Sequence, residues 1–206
     1  VEGLVKKVEE MIGLTKQVLK QTRARVIRGK THYDQKLVSV FETATEVIRK
    51  GKASKPTEFG KMVKIQEAEN QIITDYEVYA VGPADQELLI PSIETHKQIF
   101  GAAPHLVAAD GGFHSNANME NAANAGVRKL AIPGRRSGKG KKKRKERWYT
   151  EGLRWRVGCE GRISLLKRRS GLNRSRYKGQ DGMKRWVGLG VIADNLINMG
   201  RYLSSA

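Results

Sequence analysis

The feature that most constrains the fold is a change of hydrophobic period near residue 82. Before it, "FGKMVKIQEAENQIITDYEVYAV" holds two β-rich runs parted by the polar cluster "EAENQ", the pattern of a β-hairpin. "KLVSVFET", residues 36–43, is short, β-branched and closed by an acid, and predicts a strand ahead of the hairpin. Together they predict an antiparallel meander. Beyond residue 82, "PADQELLIPSIETHKQIFG" predicts a helix stopped by Gly101, broken or kinked by Pro91 near its first turns. "HLVAAD" then predicts a short buried strand. "SNANMENAANAG" predicts a second helix with Ser115 as N-cap and Gly126 as stop, and "VRKLAIP" another strand. The order is therefore three strands, then helix, strand, helix, strand.

The flanks read differently. Leu4, Val5, Val8, Ile12, Val18 and Leu19 recur near the helical period, predicting a helix over Val1–Lys20 that continues to Arg28 and stops at Gly29. Its apolar stripe is expected to pack on the domain. Trp148–Arg169 and Gly182–Leu203 predict two closing helices. Residues 1–30 form an N-terminal helical segment and 31–206 the main domain.

Between that domain's last strand and the closing helices lies "GRRSGKGKKKRKER", residues 134–147. Like-charge repulsion and the lack of apolar side chains predict a flexible insertion. It is not a phosphate loop: three residues separate Gly134 from Gly138, and Gly140 follows Lys139 where Ser or Thr would be needed. It contributes heavily to an excess of 39 Lys and Arg over 21 Asp and Glu, a net charge of +18. Such an excess points to a polyanionic partner, because cations placed on phosphates release condensed counterions. Arg135, Arg136, Lys139, Lys141, Lys142, Lys143, Arg144 and Lys145 are read as a nucleic-acid clamp, with Trp148 beside them as a base-stacking residue.

Several classes are excluded. No apolar run nears the ~20 residues of a membrane span, and Val1–Lys20 lacks the pattern of a secretory signal. Cys159 is the single cysteine, so there is no internal disulfide and no Cys-based zinc site, which fits a reducing, cytoplasmic setting. A small buried apolar role is expected for it. His32, His96, His105 and His114 are scattered and read as surface or packing residues, His114 lying nearest an acid of interest.

That acid is Asp110, which ends "HLVAAD" and precedes Gly111, Gly112 and Phe113. A second, Glu160, sits in "RWRVGCEGRISLLKRR". At about 100° per residue, Arg156 and Glu160 lie within about 40° on one helix face, and Lys167 falls between them in angle. An ordinary surface pair at this spacing contributes only a few tenths of a kcal/mol. Gly158 and Gly161, however, bracket the acid at about 1 kcal/mol each relative to Ala, a cost that suits close approach of another molecule to the backbone.

A strand ending in an acid followed by Gly and an aromatic, then a helical R-x-x-x-E-x-x-x-x-x-x-K, resembles the DDE transposases of bacterial insertion sequences. Arg156, Glu160 and Lys167 match the later part of that family's Tyr-Arg-Glu-Lys signature, and Leu153 stands where the family often has Tyr. Gly60–Lys61 and Asp85 are similar to the stretch between the family's first two acids, and the resemblance spans roughly residues 20–200.

The resemblance implies an α/β, RNase H-like three-layer fold, with a five-stranded mixed sheet and helices on both faces. It implies metal-dependent cleavage and strand transfer at element ends, with double-stranded DNA as partner and a homodimer as the candidate assembly on it, in a nucleoid-associated setting. Glu42, Asp110 and Glu160 would be its catalytic and metal-binding acids, with Glu46 the alternative first acid. The cofactor implied is a pair of Mg²⁺ ions, with Mn²⁺ as substitute. Arg156 and Lys167 would orient Glu160 and hold the DNA backbone. Two departures stand out: the family often has Asp as the first acid, and Arg where this chain has Gly111. A nuclease of the same fold that does not join ends, or an inactive DNA-binding remnant, are the alternatives.

Overall fold

A computed structural model of the chain describes residues 1–34, 36–49, 57–134 and 146–205. The hairpin forms where the two β-rich runs predict it. Strand β3 (Val63–Glu67) pairs antiparallel with β4 (Ile73–Val78), and Ala68 N–H donates to the Ile72 carbonyl across the turn at 2.8 Å. Asn70 and Gln71 turn the chain with positive φ, 57° and 62°. Lys64 sits cross-strand from Asp75 at 3.0 Å and near Glu77 at 3.5 Å. Ahead of the hairpin, β1 (Glu46–Arg49) pairs antiparallel with β2 (Thr57–Gly60).

The strand expected at 36–43 is absent; its place is taken by bends, and the first strand starts at Glu46. Ser39 Oγ accepts from the N–H groups of Phe41 and Glu42 at 3.3 and 3.1 Å, so a local side-chain turn takes donors that a ladder would need.

After the hairpin the elements follow the predicted order: α2 (Asp85–Phe100), β5 (Leu106–Ala108), α3 (Asn116–Asn124) and β6 (Lys129–Ala131). The chain is not broken at Pro91: α2 continues through it to Phe100, with the proline supplying no N–H to the Glu87 carbonyl. It ends on Gly101 in the left-handed region, φ 73°. Ser115 Oγ caps α3 by accepting from Asn118 N–H at 3.0 Å. Strands β5 and β6 are parallel, joined by the crossover through α3. Helices α4 (Arg147–Arg169) and α5 (Gly179–Ser205) close the chain.

Among the described residues the strands pair two by two, in three sheets, where a single five-stranded sheet was expected. Side chains of α5 occupy backbone groups at both ends of β4. Asn195 bonds both N–H and C=O of Ile73, each at 2.8 Å, and Gln180 Nε2 donates to the Val78 carbonyl at 2.7 Å. Those groups are then not free to recruit a further strand.

Two apolar clusters result. One joins β4, α4 and α5 through Ile73, Val78, Leu166, Val187 and Val191. The other joins α2 and α3 to the segments beside β6 through Leu89, Ile93, Ala122, Val127 and Ile132. Helix α1 (Glu2–Val26) contributes little to either: it buries only Ala24, and Leu4, Val8 and Ile12 of its stripe stay exposed, correcting the expected packing. The reason is that α5 already covers β4 and α4 already covers β5 and β6. What ties α1 down is Gln21, whose amide bonds both N–H and C=O of Leu37. No helix among the described residues is long and apolar enough to cross a membrane.

Candidate active site

Strand β5 delivers Asp110 to its C-terminal end, where the chain turns into a single 3-10 turn at Gly111–Phe113. Asp110 caps that turn, its Oδ1 accepting from Gly111 N–H at 2.7 Å. The glycine pair is shaped by its neighbours. A Cβ on Gly112 would lie 2.3 Å from Asp85 Oδ2, and one on Gly111 would lie 3.2 Å from the Pro133 carbonyl. A side chain at 111 would therefore meet the backbone just beyond β6.

Helix α4 brings the second acid. It lies against the β5–β6 pair at Gly152, where a Cβ would come within 2.5 Å of the Ala131 Cβ. Tyr149, buried one turn earlier, donates its hydroxyl to the Ile132 carbonyl at 3.2 Å. Arg156 follows Gly152 by four residues and so stands above the end of β5. Its Nη1 donates to Glu160 Oε1 at 2.7 Å and to Asp110 Oδ1 at 3.4 Å. One guanidinium thus gathers two carboxylates that are 50 residues apart in the chain. Their side chains remain 69% and 62% exposed, while that of Arg156 is 22% exposed and its buried Nε has no hydrogen-bond partner.

The rotation of α4 that aims these groups is set from the opposite side. Arg162, about 200° around the helix from Glu160, is buried between Glu67 of β3 at 3.2 Å and Asp194 of α5 at 3.3 Å. All three side chains are 5% exposed. Arg162 also donates to Gln71 Oε1, and Asn198 bridges Asp194 to the Gln71 carbonyl. With Arg162 held inward, Arg156 and Glu160 face the end of β5.

Cys159 joins this cluster as more than an apolar filler. Half-buried, it lies 3.5 Å from Glu67 Oε1 as donor, and burial together with that carboxylate pushes its thiol up to about 12.

The remaining predicted residues lie elsewhere. Glu42 accepts from Gly179 N–H at 3.2 and 3.3 Å, placing its charge at the N-terminus of α5, where an anion is stabilised. Glu46, at the start of β1, accepts from Gly82 N–H with both oxygens at 3.1 Å. Lys167 is exposed two turns beyond Glu160 and lines a cavity together with Glu42. Trp148 stands edge-on to Tyr149, donates to Glu146, and has Lys129 Nζ 5.8 Å from its ring centre. Arg135, Arg136, Lys139, Lys141, Lys142, Lys143, Arg144 and Lys145 lie outside the described residues. Among the described residues, no group of three or more His, Cys, Asp or Glu side chains is placed to hold a metal ion.

Sequence reasoning passed over Gly152, although its spacing of four residues before Arg156 put both on one face. Arg162 carried no local signal, because its partners lie 95 and 32 residues away. Gly158 and Gly161, singled out for close approach, would place a Cβ in open space within the molecule.

A family model described as the transposase DDE domain matches residues 24–196. The chain belongs to the transposase DDE domain family. Comparisons with curated proteins and with solved structures give no match. Membership makes the function of the transposase type and the substrate class DNA; the family generally uses divalent metal ions. The mixed α/β architecture described above fits such a domain.

Proposed function

We propose that this transposase domain cuts DNA at the ends of an insertion sequence and joins the freed ends to target DNA, with Asp110 and Glu160 among its catalytic carboxylates. The observation that carries the proposal is the Arg156 guanidinium between those two acids at the end of a parallel strand. The parallel β5–β6 pair covered by α4 supports an RNase H-like arrangement.

For the first acid we take Glu46, the alternative, in preference to Glu42. Glu46 holds Gly82, just ahead of α2; Asp85 of that helix abuts Gly112, two residues after Asp110. Glu42 lies instead at the start of α5, held by the Gly179 N–H.

The donor set of Asp110 and Glu160 fits a hard divalent cation, since both offer exposed carboxylate oxygens with no cysteine competing. Those two acids would hold Mg²⁺ or its substitute Mn²⁺. When bound, the ions supply Lewis-acid activation and charge neutralisation for phosphodiester displacement. The chain's own residues do the rest. Arg156 fixes the Glu160 carboxylate by its 2.7 Å bond and keeps further N–H donors for a phosphate oxygen. Lys167 adds a cation two turns along the same helix.

The test is metal-dependent nicking and joining of labelled terminal-repeat DNA. Asp110→Asn is expected to abolish nicking and leave salt-sensitive DNA binding intact, and wild-type protein to yield joined product. Equal nicking by Asp110→Asn removes the assignment, and nicking without any joined product reduces the function to that of a nuclease.

A further inference from the structure

The cavity between the β1–β2 hairpin and the loop from α4 to α5 is not used by the pairing of Asp110 with Glu160. It is a half-open groove of about 1530 Å³. Lys61, Lys167, Arg169, Arg174, Arg176 and Lys178 line it, against the acids Glu42 and Glu58. Glu42 is engaged by the Gly179 N–H, so the wall is predominantly cationic. Three aromatic rings line the same cavity in the open: Phe41 is 77% exposed, Phe59 66% and Tyr177 49%, the last standing edge-on to Trp186.

Cations alone would serve any nucleic acid, since phosphates lie outside both duplex and single strand. Exposed phenyl rings within a cationic groove are more selective. A duplex keeps its base faces stacked on one another and offers the rings nothing to cover them. An unpaired strand offers one π-face per nucleotide, and stacking on an aromatic then removes both faces from water.

We infer that this groove binds an unpaired DNA strand, its phosphates on the basic wall and its bases stacked on Phe41 and Phe59. The inference rests on the transposase reading for the choice of DNA, and it gives the domain a place to hold a strand separated from its complement. Trp148, the stacking residue expected from sequence, is by contrast already engaged with Tyr149, Glu146 and Lys129.

The test is fluorescence anisotropy of the full chain with an oligothymidylate of about 12 nucleotides and with a duplex of equal length. The variant Phe41→Ala/Phe59→Ala is expected to lose about ten-fold or more in affinity for the single strand. Duplex affinity should change less than about two-fold, and Phe41→Trp/Phe59→Trp should restore single-strand binding. Arg174→Gln/Arg176→Gln/Lys178→Gln is expected to flatten the single-strand salt dependence by about 2 in slope. Both phenylalanines are exposed, and an unchanged melting curve checks that the alanine variant folds. Unaltered single-strand affinity, or an equal loss on both DNAs, overturns the inference. If wild-type protein meanwhile nicks duplex ends, the transposase reading survives that loss; if it neither binds nor nicks either DNA, that reading fails first.

Discussion

Replacing Gly152 by Ala tests whether contact between α4 and the strand beneath it sets the site. The added Cβ would lie 2.5 Å from the Ala131 Cβ, and Ala131 is fully buried. Carbon atoms rest about 3.5–4.0 Å apart, so helix and strand must separate by about 1 Å. Overpacking of that size costs about 1–3 kcal/mol. Against it stands the helix preference for Ala over Gly, about 1 kcal/mol. Gly158→Ala, where a Cβ meets nothing within 4 Å, receives the same preference without the contact. The difference between the two variants therefore isolates the contact and should be about 1–3 kcal/mol in urea unfolding. The functional consequence is larger. Arg156 already reaches Asp110 only at 3.4 Å, and lifting the helix parts them. A misplacement of about 1 Å can cost about 100-fold in rate, the loss expected in nicking by Gly152→Ala. Equal stability of the two variants would refute the close approach of α4 to β6. A destabilised Gly152→Ala with wild-type nicking would refute its role in placing Arg156.

Arg162→Met should cost about 3–5 kcal/mol in urea unfolding, because it leaves Glu67 and Asp194 buried without their cation; a loss below about 1 kcal/mol would show that this cluster does not fix α4. Cys159 should resist alkylation at pH 8 in the folded protein and react on unfolding, since its thiol is pushed up to about 12 by burial and by Glu67. The native state holds that proton more tightly than the unfolded chain, whose thiol titrates near about 8.5. The associated stability is therefore fully present below about pH 8.5 and is lost as pH rises toward about 12, readable as a fall in urea midpoint that Cys159→Ala makes shallower. Gln21→Ala should release α1 while leaving the main domain's melting within about 0.5 kcal/mol, because α1 buries little beyond Ala24.

Much of the local structure was legible because it depends on near neighbours. Strands β3 and β4, the Ser115 cap, the Gly101 stop and both closing helices follow from period, capping chemistry and turn residues within a few positions. The pairing of Arg156 with Glu160 was equally readable, being fixed by helical spacing. The first strand failed as a prediction because Ser39 offers the backbone a local alternative that a β-branched pattern does not reveal.

The sequence by itself determined the order of elements from the β3–β4 hairpin onward, the cationic character and the helix face that carries Arg156, Glu160 and Lys167, since each depends on interactions a few residues long. The tertiary structure decided that Asp110 meets that face, that Arg162 turns inward and that Glu42 goes to the start of α5. These depend on where a helix may approach a strand and which buried charges find partners tens of residues away. Chain connectivity leaves such choices open, and packing between Gly152 and Ala131 closes them.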